Sequence, residues 1–258
     1  MKNKSKRPKY SKNERKKYFS IWGLNNSLSL LNSKKYNILK IILLKNSIAW
    51  RDNQIQEFLG SNKNLVNIQN KEIFLSKYDE HRTQGIVVEF NGDLVIDLPD
   101  LSNSKGNICL LLLDRITDPQ NLGQIIRTSE CAGIDGIIIP DRHSVGMTDT
   151  VIQVSQGAFV NQNIYTCGNV HQTILRLKDE GFWIIGIENS IEARLWYDID
   201  YKGKIVIIAG SEGKGIRKLL LDNCDFLSTI PMKGKVNSLN VSAAVSAILF
   251  ERNRQLEK

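Results

Sequence analysis

The feature that most constrains the fold is an alternation of apolar runs and amphipathic stretches after residue 107. Short apolar runs that read as strands stand at 108–113, 136–139, 182–187, 204–209 and 226–230. Helical patterns stand at 122–132, 150–159, 170–180, 216–223 and 239–252. A strand that is apolar throughout is buried on both faces, which is typical of a parallel sheet covered by helices. The sequence therefore predicts an α/β domain over residues 108–258.

A second, smaller α/β domain is predicted upstream. Between residues 18 and 97, strand patterns such as 38–44 and 85–90 alternate with helical patterns at 54–59 and 71–78. Residues 98–107 read LPDLSNSKGN and concentrate Pro, Gly, Ser and Asn, the usual composition of a linker. We place the boundary between a domain at 18–97 and a domain at 108–258 in this linker.

The net charge of +8 is concentrated at the N-terminus. Residues 1–20 hold nine Lys or Arg against one acid, so the rest of the chain is close to neutral. Residues 1–17 are predicted to be a disordered basic tail. Such a tail either grips RNA phosphates without regard to sequence or acts as a solubilising arm, and the sequence leaves both roles open.

Several protein classes are disfavoured by what the sequence contains. No run approaches the ~18 apolar residues that a membrane span requires, and no apolar secretory segment opens the chain. The cysteines lie far apart, without CxxC spacing or a Cys/His cluster: Cys109, Cys131, Cys167 and Cys224. They predict buried free thiols in a reducing compartment and no metal site. We expect a cytoplasmic protein that is independent of membranes.

The first of three motifs, DPQNLGQIIRT at 118–128, joins the strand that ends at Asp114 to a helix. Asn121 stands where an N-cap residue belongs, and Arg127 lies within the following helix. An Asp-Pro-X-Asn sequence before a helix also occurs as simple capping. The motif taken alone is therefore compatible with a purely structural role.

The second motif, GSEGKG at 210–215, follows a strand and is predicted to open a helix. Its glycines would let the backbone approach a ligand closely, and a helix N-terminus favours negative charge. The motif fits neither the GxGxxG dinucleotide pattern nor the GxxxxGK[ST] phosphate loop, and a generic nucleotide loop remains an alternative. Glu212 is either a functional acid or an acid that the helix dipole favours.

The third motif, IPMKGKVNSLNVSAA at 230–244, leaves a strand at Pro231, crosses a loop with Gly and Lys, and enters the last predicted helix. Ser238 and Asn240 stand at the start of that helix. Both residue types cap helices well, and both can also hydrogen-bond a substrate. The sequence leaves these two roles open.

In this order the three motifs closely resemble those of the SpoU branch of the SPOUT RNA methyltransferases, over residues 108–254. The resemblance implies transfer of a methyl group from S-adenosylmethionine to a ribose 2′-hydroxyl of RNA. It also implies a SPOUT domain with a deep trefoil knot at about 205–250. Family members are homodimers whose active sites draw on both subunits, so a homodimer is expected here.

The resemblance assigns roles to individual residues. Five residues match catalytic positions, with Arg127 as the catalytic arginine that crosses the dimer interface: Asn121, Arg127, Glu212, Ser238 and Asn240. Three residues match positions that hold the cofactor through backbone atoms: Gly210, Ile230 and Leu239. No residue matches a metal ligand.

The segment at about 18–90 resembles the N-terminal RNA-recognition domain of many SpoU enzymes. Family members that act on tRNA often lack this domain, so it favours large-subunit ribosomal RNA, or its precursor, as the substrate. We expect the target to be a guanosine of 23S rRNA. Two alternatives stay open: a tRNA 2′-O-methyltransferase, and a catalytically silent RNA-binding assembly factor.

Overall fold

The computed structural model describes residues 18–190 and 192–257, so the basic tail predicted at 1–17 lies outside the described residues. The described chain builds two β-sheets that share one apolar core. Ile41 of the first sheet and Leu111 of the second belong to the same cluster of buried side chains. No helix in the described part of the chain is both long and apolar enough to cross a membrane.

The first sheet has four strands in the order β1-β4-β2-β3. Strand β4 runs antiparallel to β1 and β2, whereas β3 runs parallel to β2. Its elements are β1 (Phe19–Trp22), α1 (Leu24–Leu31), β2 (Asn37–Leu44), α2 (Asn53–Ser61), β3 (Val66–Gln69), α3 (Lys71–Leu75), α4 (Glu80–Thr83) and β4 (Ile86–Asn91). In β2, residues 41–44 are buried, whereas residues 37–40 are exposed or half-buried.

The second sheet has eight strands, all parallel, in the order β10-β12-β9-β11-β6-β7-β8-β5. Its elements are β5 (Ile96–Asp97), β6 (Ile108–Asp114), α5 (Pro119–Cys131), β7 (Gly136–Pro140), α6 (Asp149–Val154), β8 (Ile164–Cys167), α7 (Val170–Asp179), β9 (Trp183–Ile187), β10 (Arg194–Leu195), β11 (Lys204–Gly210), α8 (Lys218–Leu221), β12 (Phe226–Thr229) and α9 (Val241–Leu256). Every residue of β6 is buried. The predicted α/β fold with a parallel sheet is confirmed.

The strand order reverses between β6 and β11. From β6 the chain proceeds to β7 and β8 on one side, and it then crosses to build β9, β11 and β12 on the other. In open parallel sheets, ligands bind beyond the carboxyl ends of the strands at such a reversal. The loops after β6 and β11 therefore flank the expected position of a site.

The two sheets are also joined by polar contacts. The side chain of Gln153 on α6 pairs with the backbone of Trp22: the Trp22 N–H donates to Oε1 at 3.1 Å, and Nε2 donates to the Trp22 carbonyl at 2.9 Å. Strand β5, within the range predicted for the first domain, pairs with β8 of the second sheet. The domain boundaries stay a prediction, but the two units pack directly on each other.

Some predicted elements end elsewhere. Helix α6 ends at Val154 rather than at 159, because Gln156 and Gly157 adopt φ values of +53° and +89°. Strand β8 had not been predicted at all. Cys131 is exposed and Cys224 is half-buried, contrary to the prediction of buried thiols. Cys109 and Cys167 are buried, and burial raises the pKa of Cys109 to about 12.

Candidate active site

A cavity of about 570 Å³ opens at the carboxyl ends of β9, β11 and β12. Its walls come from four stretches of chain: 187–189, 209–215, 228–232 and 237–244. Its volume lies within the ~300–1,000 Å³ typical of small-molecule and cofactor sites. The second and third motifs both line it, so they contribute to one site.

The glycine loop, residues 210–217, is folded tightly against itself. Ser211 and Gly215 form an isolated β-bridge, and a Cβ placed on Gly210 would lie 2.1 Å from the carbonyl carbon of Gly215. Only glycine fits at 210, because any side chain would collide with backbone atoms. Helix α8 begins only at Lys218, so the prediction that the motif opens a helix is wrong. Glu212 is therefore not an acid at a helix N-terminus.

An ion pair between a buried carboxylate and a half-buried guanidinium fixes the far end of the glycine loop. The guanidinium of Arg217 donates to the carboxylate of Asp114 at 2.7–3.1 Å, and the Arg217 backbone N–H donates to Asp114 Oδ2 at 3.0 Å. Asp114 is fully buried at the end of β6, beside Gly210 in the sheet register. A buried carboxylate requires such pairing, since unpaired burial of a charge is costly. The pair thus ties the glycine loop to the central strand.

A network of three polar side chains lies beside the cavity. Asn121 Nδ2 donates to Glu212 Oε1 at 2.8 Å. Asn240 Nδ2 donates to Asn121 Oδ1 at 2.9 Å and to the same Glu212 oxygen at 2.8 Å. Three residues separated by 28 to 119 positions in the chain are thereby brought into direct contact. The two amides orient the carboxylate and leave its Oε2 without a partner in the network.

Capping differs from the sequence prediction at one of the two helices that supply this network. Helix α5 is capped by Asp118, whose side chain accepts the backbone N–H of Gln120, so Asn121 lies inside the first turn. The prediction that Asn121 is the N-cap is wrong, and its amide is free to face Glu212. Asn240 does cap α9, accepting from the backbone N–H of Ser242 at 2.9 Å. Asn240 thus both caps α9 and belongs to the network of three side chains.

Arg127 and Ser238 stand outside the network. Arg127 is exposed on α5, and among the described residues it makes no hydrogen bond or ion pair. Ser238 is exposed and lines the cavity, but it does not cap α9. A single chain therefore brings Ser238 to the cavity and leaves Arg127 facing solvent.

The remaining candidate cofactor residues lie on the cavity wall. Ile230 follows β12, and Leu239 precedes α9, with 43% of its surface exposed. Residues 231–239, here called the cavity segment, form neither helix nor strand. Backbone groups in this segment have no partner within a ladder and can face a ligand.

Sequence reasoning missed Arg217 and Asn189. Arg217 follows the second motif by two positions, but nothing local indicates that it would meet Asp114. Asn189 follows β9 and lines the cavity, and its Nδ2 donates to the Asn237 carbonyl at 3.0 Å. Within residues 18–190 and 192–257, no group of His, Cys, Asp and Glu is arranged to hold a metal ion.

Comparison with known proteins places the chain in a family. Residues 109–250 match the SpoU rRNA Methylase family. A Shewanella oneidensis protein named 23S rRNA (guanosine-2′-O-)-methyltransferase RlmB is 34% identical over 93% of this chain and 98% of its own length. A Staphylococcus aureus (strain COL) protein named putative TrmH family tRNA/rRNA methyltransferase is 42% identical, over 60% of this chain and 62% of its own length.

Solved structures share the fold. The SpoU methyltransferase AviRb from Streptomyces viridochromogenes, in complex with AdoMet, superposes with a TM-score of 0.74 at 20% identity, covering 93% of this chain and 91% of that chain. An AdoMet-bound rRNA methyltransferase from Sinorhizobium meliloti gives a TM-score of 0.73 at 24% identity, covering 93% and 88%.

Proposed function

The chain belongs to the SpoU rRNA methylase family, and from that premise we propose that it methylates a ribose 2′-hydroxyl of RNA with S-adenosylmethionine. One observation carries the proposal: Asn121 from the first turn of α5, Glu212 from the glycine loop and Asn240 from the start of α9 converge at the edge of a cofactor-sized cavity. A protein that used the fold only to bind RNA would not require a carboxylate oriented by two amides. The network therefore favours an enzyme over the silent assembly factor.

The cavity suits S-adenosylmethionine. The tightly folded glycine loop presents backbone at Gly210 on one wall. On the other wall, the cavity segment offers backbone groups near Ile230 and Leu239 that form no β-sheet hydrogen bonds. Such groups can pair with the edge of an adenine, which explains why apolar side chains stand at these positions. When bound, the cofactor supplies an electrophilic methyl group on a sulfonium that leaves as a neutral thioether.

The protein side of the reaction is mainly positioning. Glu212, held by Asn121 and Asn240, has one carboxylate oxygen left to accept a hydrogen bond from the ribose hydroxyl. Ser238 can donate to the same sugar from the opposite wall. Placing the ribose hydroxyl in line with the electrophilic methyl group supplies a large share of the reduction in the activation barrier.

Arg127 is assigned to the phosphate beside the reacting ribose. Deprotonating a guanidinium with a pKa above ~12 at pH 7 would cost more than about 6 kcal/mol, so a role as general base is unfavourable. A bidentate grip on phosphate requires no such shift. Because Arg127 faces solvent in the single chain, we propose that it completes the site of a second copy in a homodimer.

The dimer proposal has a direct test. Arg127→Ala and Asn121→Ala should each be inactive as homodimers. A purified heterodimer of the two variants should regain about half of the wild-type activity if Arg127 acts across the interface, since one of its two sites is then intact. A heterodimer without activity would place Arg127 in the site of its own chain.

We assign the substrate as a guanosine of 23S rRNA, or of its precursor, methylated in the cytoplasm. The relative with that printed activity matches nearly the whole chain, including the four-stranded sheet, whereas the tRNA/rRNA relative matches only 60% of it. The first sheet is thus part of what is shared with the rRNA enzyme. A knot at about 205–250 remains a prediction from the resemblance.

The deciding experiment uses radiolabelled S-adenosylmethionine with 23S rRNA and with tRNA, both lacking native modifications, followed by mapping of the labelled nucleotide. Label on a 2′-oxygen of a 23S guanosine, lost in Glu212→Gln, is the expected result. Label on tRNA alone would keep the chemistry and replace the substrate. Cofactor binding without any label would favour the silent RNA-binding protein.

A further inference from the structure

The cavity segment is weakly attached for a stretch that carries candidate site residues. Of its nine residues, all but Met232 are exposed, and 73% of the surface of Val236 is accessible. Within the described residues, a single hydrogen bond joins residues 231–239 to the rest of the chain: Asn189 Nδ2 donates to the Asn237 carbonyl at 3.0 Å. Lys233 and Lys235 form no ion pair in the same part of the chain.

Asn189 is well placed to hold this segment. It stands two residues after the end of β9, on the cavity wall, and the Thr229 hydroxyl at the end of β12 lies 3.4 Å from its Oδ1. The carboxamide thus spans the ends of two neighbouring parallel strands and the loop beyond them. Its donor faces the segment, while its acceptor faces the sheet.

We infer that Asn189 is a positioning residue that latches the cavity segment over the cavity, setting how long the cofactor stays bound and where Ser238 stands. The inference rests on the proposed function, because it takes the cavity to be the cofactor site. Loss of one neutral hydrogen bond shifts an opening equilibrium by about two- to tenfold. The latch is therefore strong enough to matter and weak enough to open in each cycle.

Tryptic cleavage after Lys233 and Lys235 can measure how often the cavity segment opens, because trypsin cleaves after lysine in mobile stretches of chain. Asn189→Asp keeps the side-chain shape, removes the donor and places a carboxylate oxygen against the Asn237 carbonyl. We expect cleavage after Lys233 and Lys235 to become about two- to tenfold faster, since proteolysis follows the open population. Cleavage after the exposed Lys105 serves as the reference within each sample.

Asn163→Asp is the matched control. Asn163 makes the same kind of bond, from Nδ2 to the Asp135 carbonyl at 3.0 Å, at an exposed position outside the cavity walls. It should leave cleavage after Lys233 and Lys235 unchanged. Equal cleavage rates in Asn189→Asp and wild type would overturn the latch, as would an equal acceleration in the control.

A second measurement connects the latch to the cofactor. In the full-length protein, S-adenosylhomocysteine should dissociate about two- to tenfold faster from Asn189→Asp than from wild type or Asn163→Asp, with an unchanged melting temperature. Faster cleavage with unchanged dissociation would overturn the role in cofactor retention. If the wild type binds no S-adenosylhomocysteine, the cofactor assignment fails, and the trypsin result alone decides whether Asn189 holds the segment.

Discussion

The two walls of the cavity are both irregular, glycine-containing loops, yet they are held in opposite ways. The glycine loop at 210–217 is packed backbone against backbone and is tied to β6 by the ion pair of Arg217 with the buried Asp114. The cavity segment at 231–239 is exposed and is joined to the rest of the described chain by one hydrogen bond. The glycine loop, here called the firm wall, carries Glu212, on whose position the proposed reaction depends. The cavity segment, here called the loose wall, is the stretch proposed to open for the cofactor.

The largest effect should come from breaking the ion pair of the firm wall. Asp114→Asn leaves the Arg217 guanidinium without a counter-charge, and breaking such a buried pair costs about 3 kcal/mol of unfolding free energy. We expect the lower end of the known range, because 36% of the Arg217 side chain is exposed. Urea denaturation would measure it.

The surface pair of Lys71 and Glu80 provides the control, since its nitrogen and oxygen lie 3.6 Å apart in solvent. Glu80→Gln should cost less than about 1 kcal/mol. Equal losses in the two variants would show that the firm wall does not depend on Asp114.

The next effect comes from the backbone contact at Gly210. In Gly210→Ala the new methyl would lie 2.1 Å from the Gly215 carbonyl carbon, so the loop must move. Overpacking of this kind costs about 1–3 kcal/mol, which we expect as a loss of about 5- to 150-fold in S-adenosylhomocysteine affinity, measured by calorimetry.

Gly234→Ala is the matched change in the loose wall. No heavy atom lies within 4 Å of a Cβ at Gly234, and its φ is not in the left-handed region. Its cofactor affinity should stay within about twofold of wild type. A loss there as large as that of Gly210→Ala would erase the difference between the walls.

A pH effect tests the strand that anchors the firm wall, since β6 carries Cys109 near one end and Asp114 at the other. Burial raises the pKa of the Cys109 thiol from 9.0 to about 12. The stabilisation that comes from the neutral, buried Cys109 thiol is thus fully present below pH 9. It is lost as the pH rises from 9 to 12, because in that range the thiol ionises readily only in the unfolded chain. Between pH 8 and pH 10, wild type should lose about 1.4 kcal/mol more than Cys109→Ala in urea denaturation. Identical losses would contradict the burial.

The smallest effect on the cofactor should come from the lysines of the loose wall. Lys233→Gln with Lys235→Gln removes two exposed charges that can meet RNA phosphates. In a plot of log affinity for RNA against log salt concentration, the negative slope should become shallower by about 0.7 per lysine removed. The affinity for S-adenosylhomocysteine should be unchanged. Lys105→Gln is the control, and an equal fall there would mean that the segment has no special contact with RNA.

Much of the second sheet was predictable because its strands are apolar on both faces, as residues 108–113 are. Strand β8 was missed because its four residues, IYTC, are short and mix polar with apolar side chains. The prediction that Asn121 caps a helix and the prediction that the second motif opens a helix were both wrong. Asp118 and Asn121 both have capping chemistry, and only the built helix shows which of them caps.

The sequence by itself determined the parallel α/β architecture, the three motifs and the resemblance they carry, because apolar periodicity and motif chemistry are local properties. The tertiary structure decided the contacts: Asp114 with Arg217, Asn121 with Glu212 and Asn240, and Asn189 with Asn237. These pairs are separated by 48 to 119 positions. Such partners meet only because parallel strands bring their carboxyl ends to one edge of the sheet, and no local pattern records which side chains that edge will join.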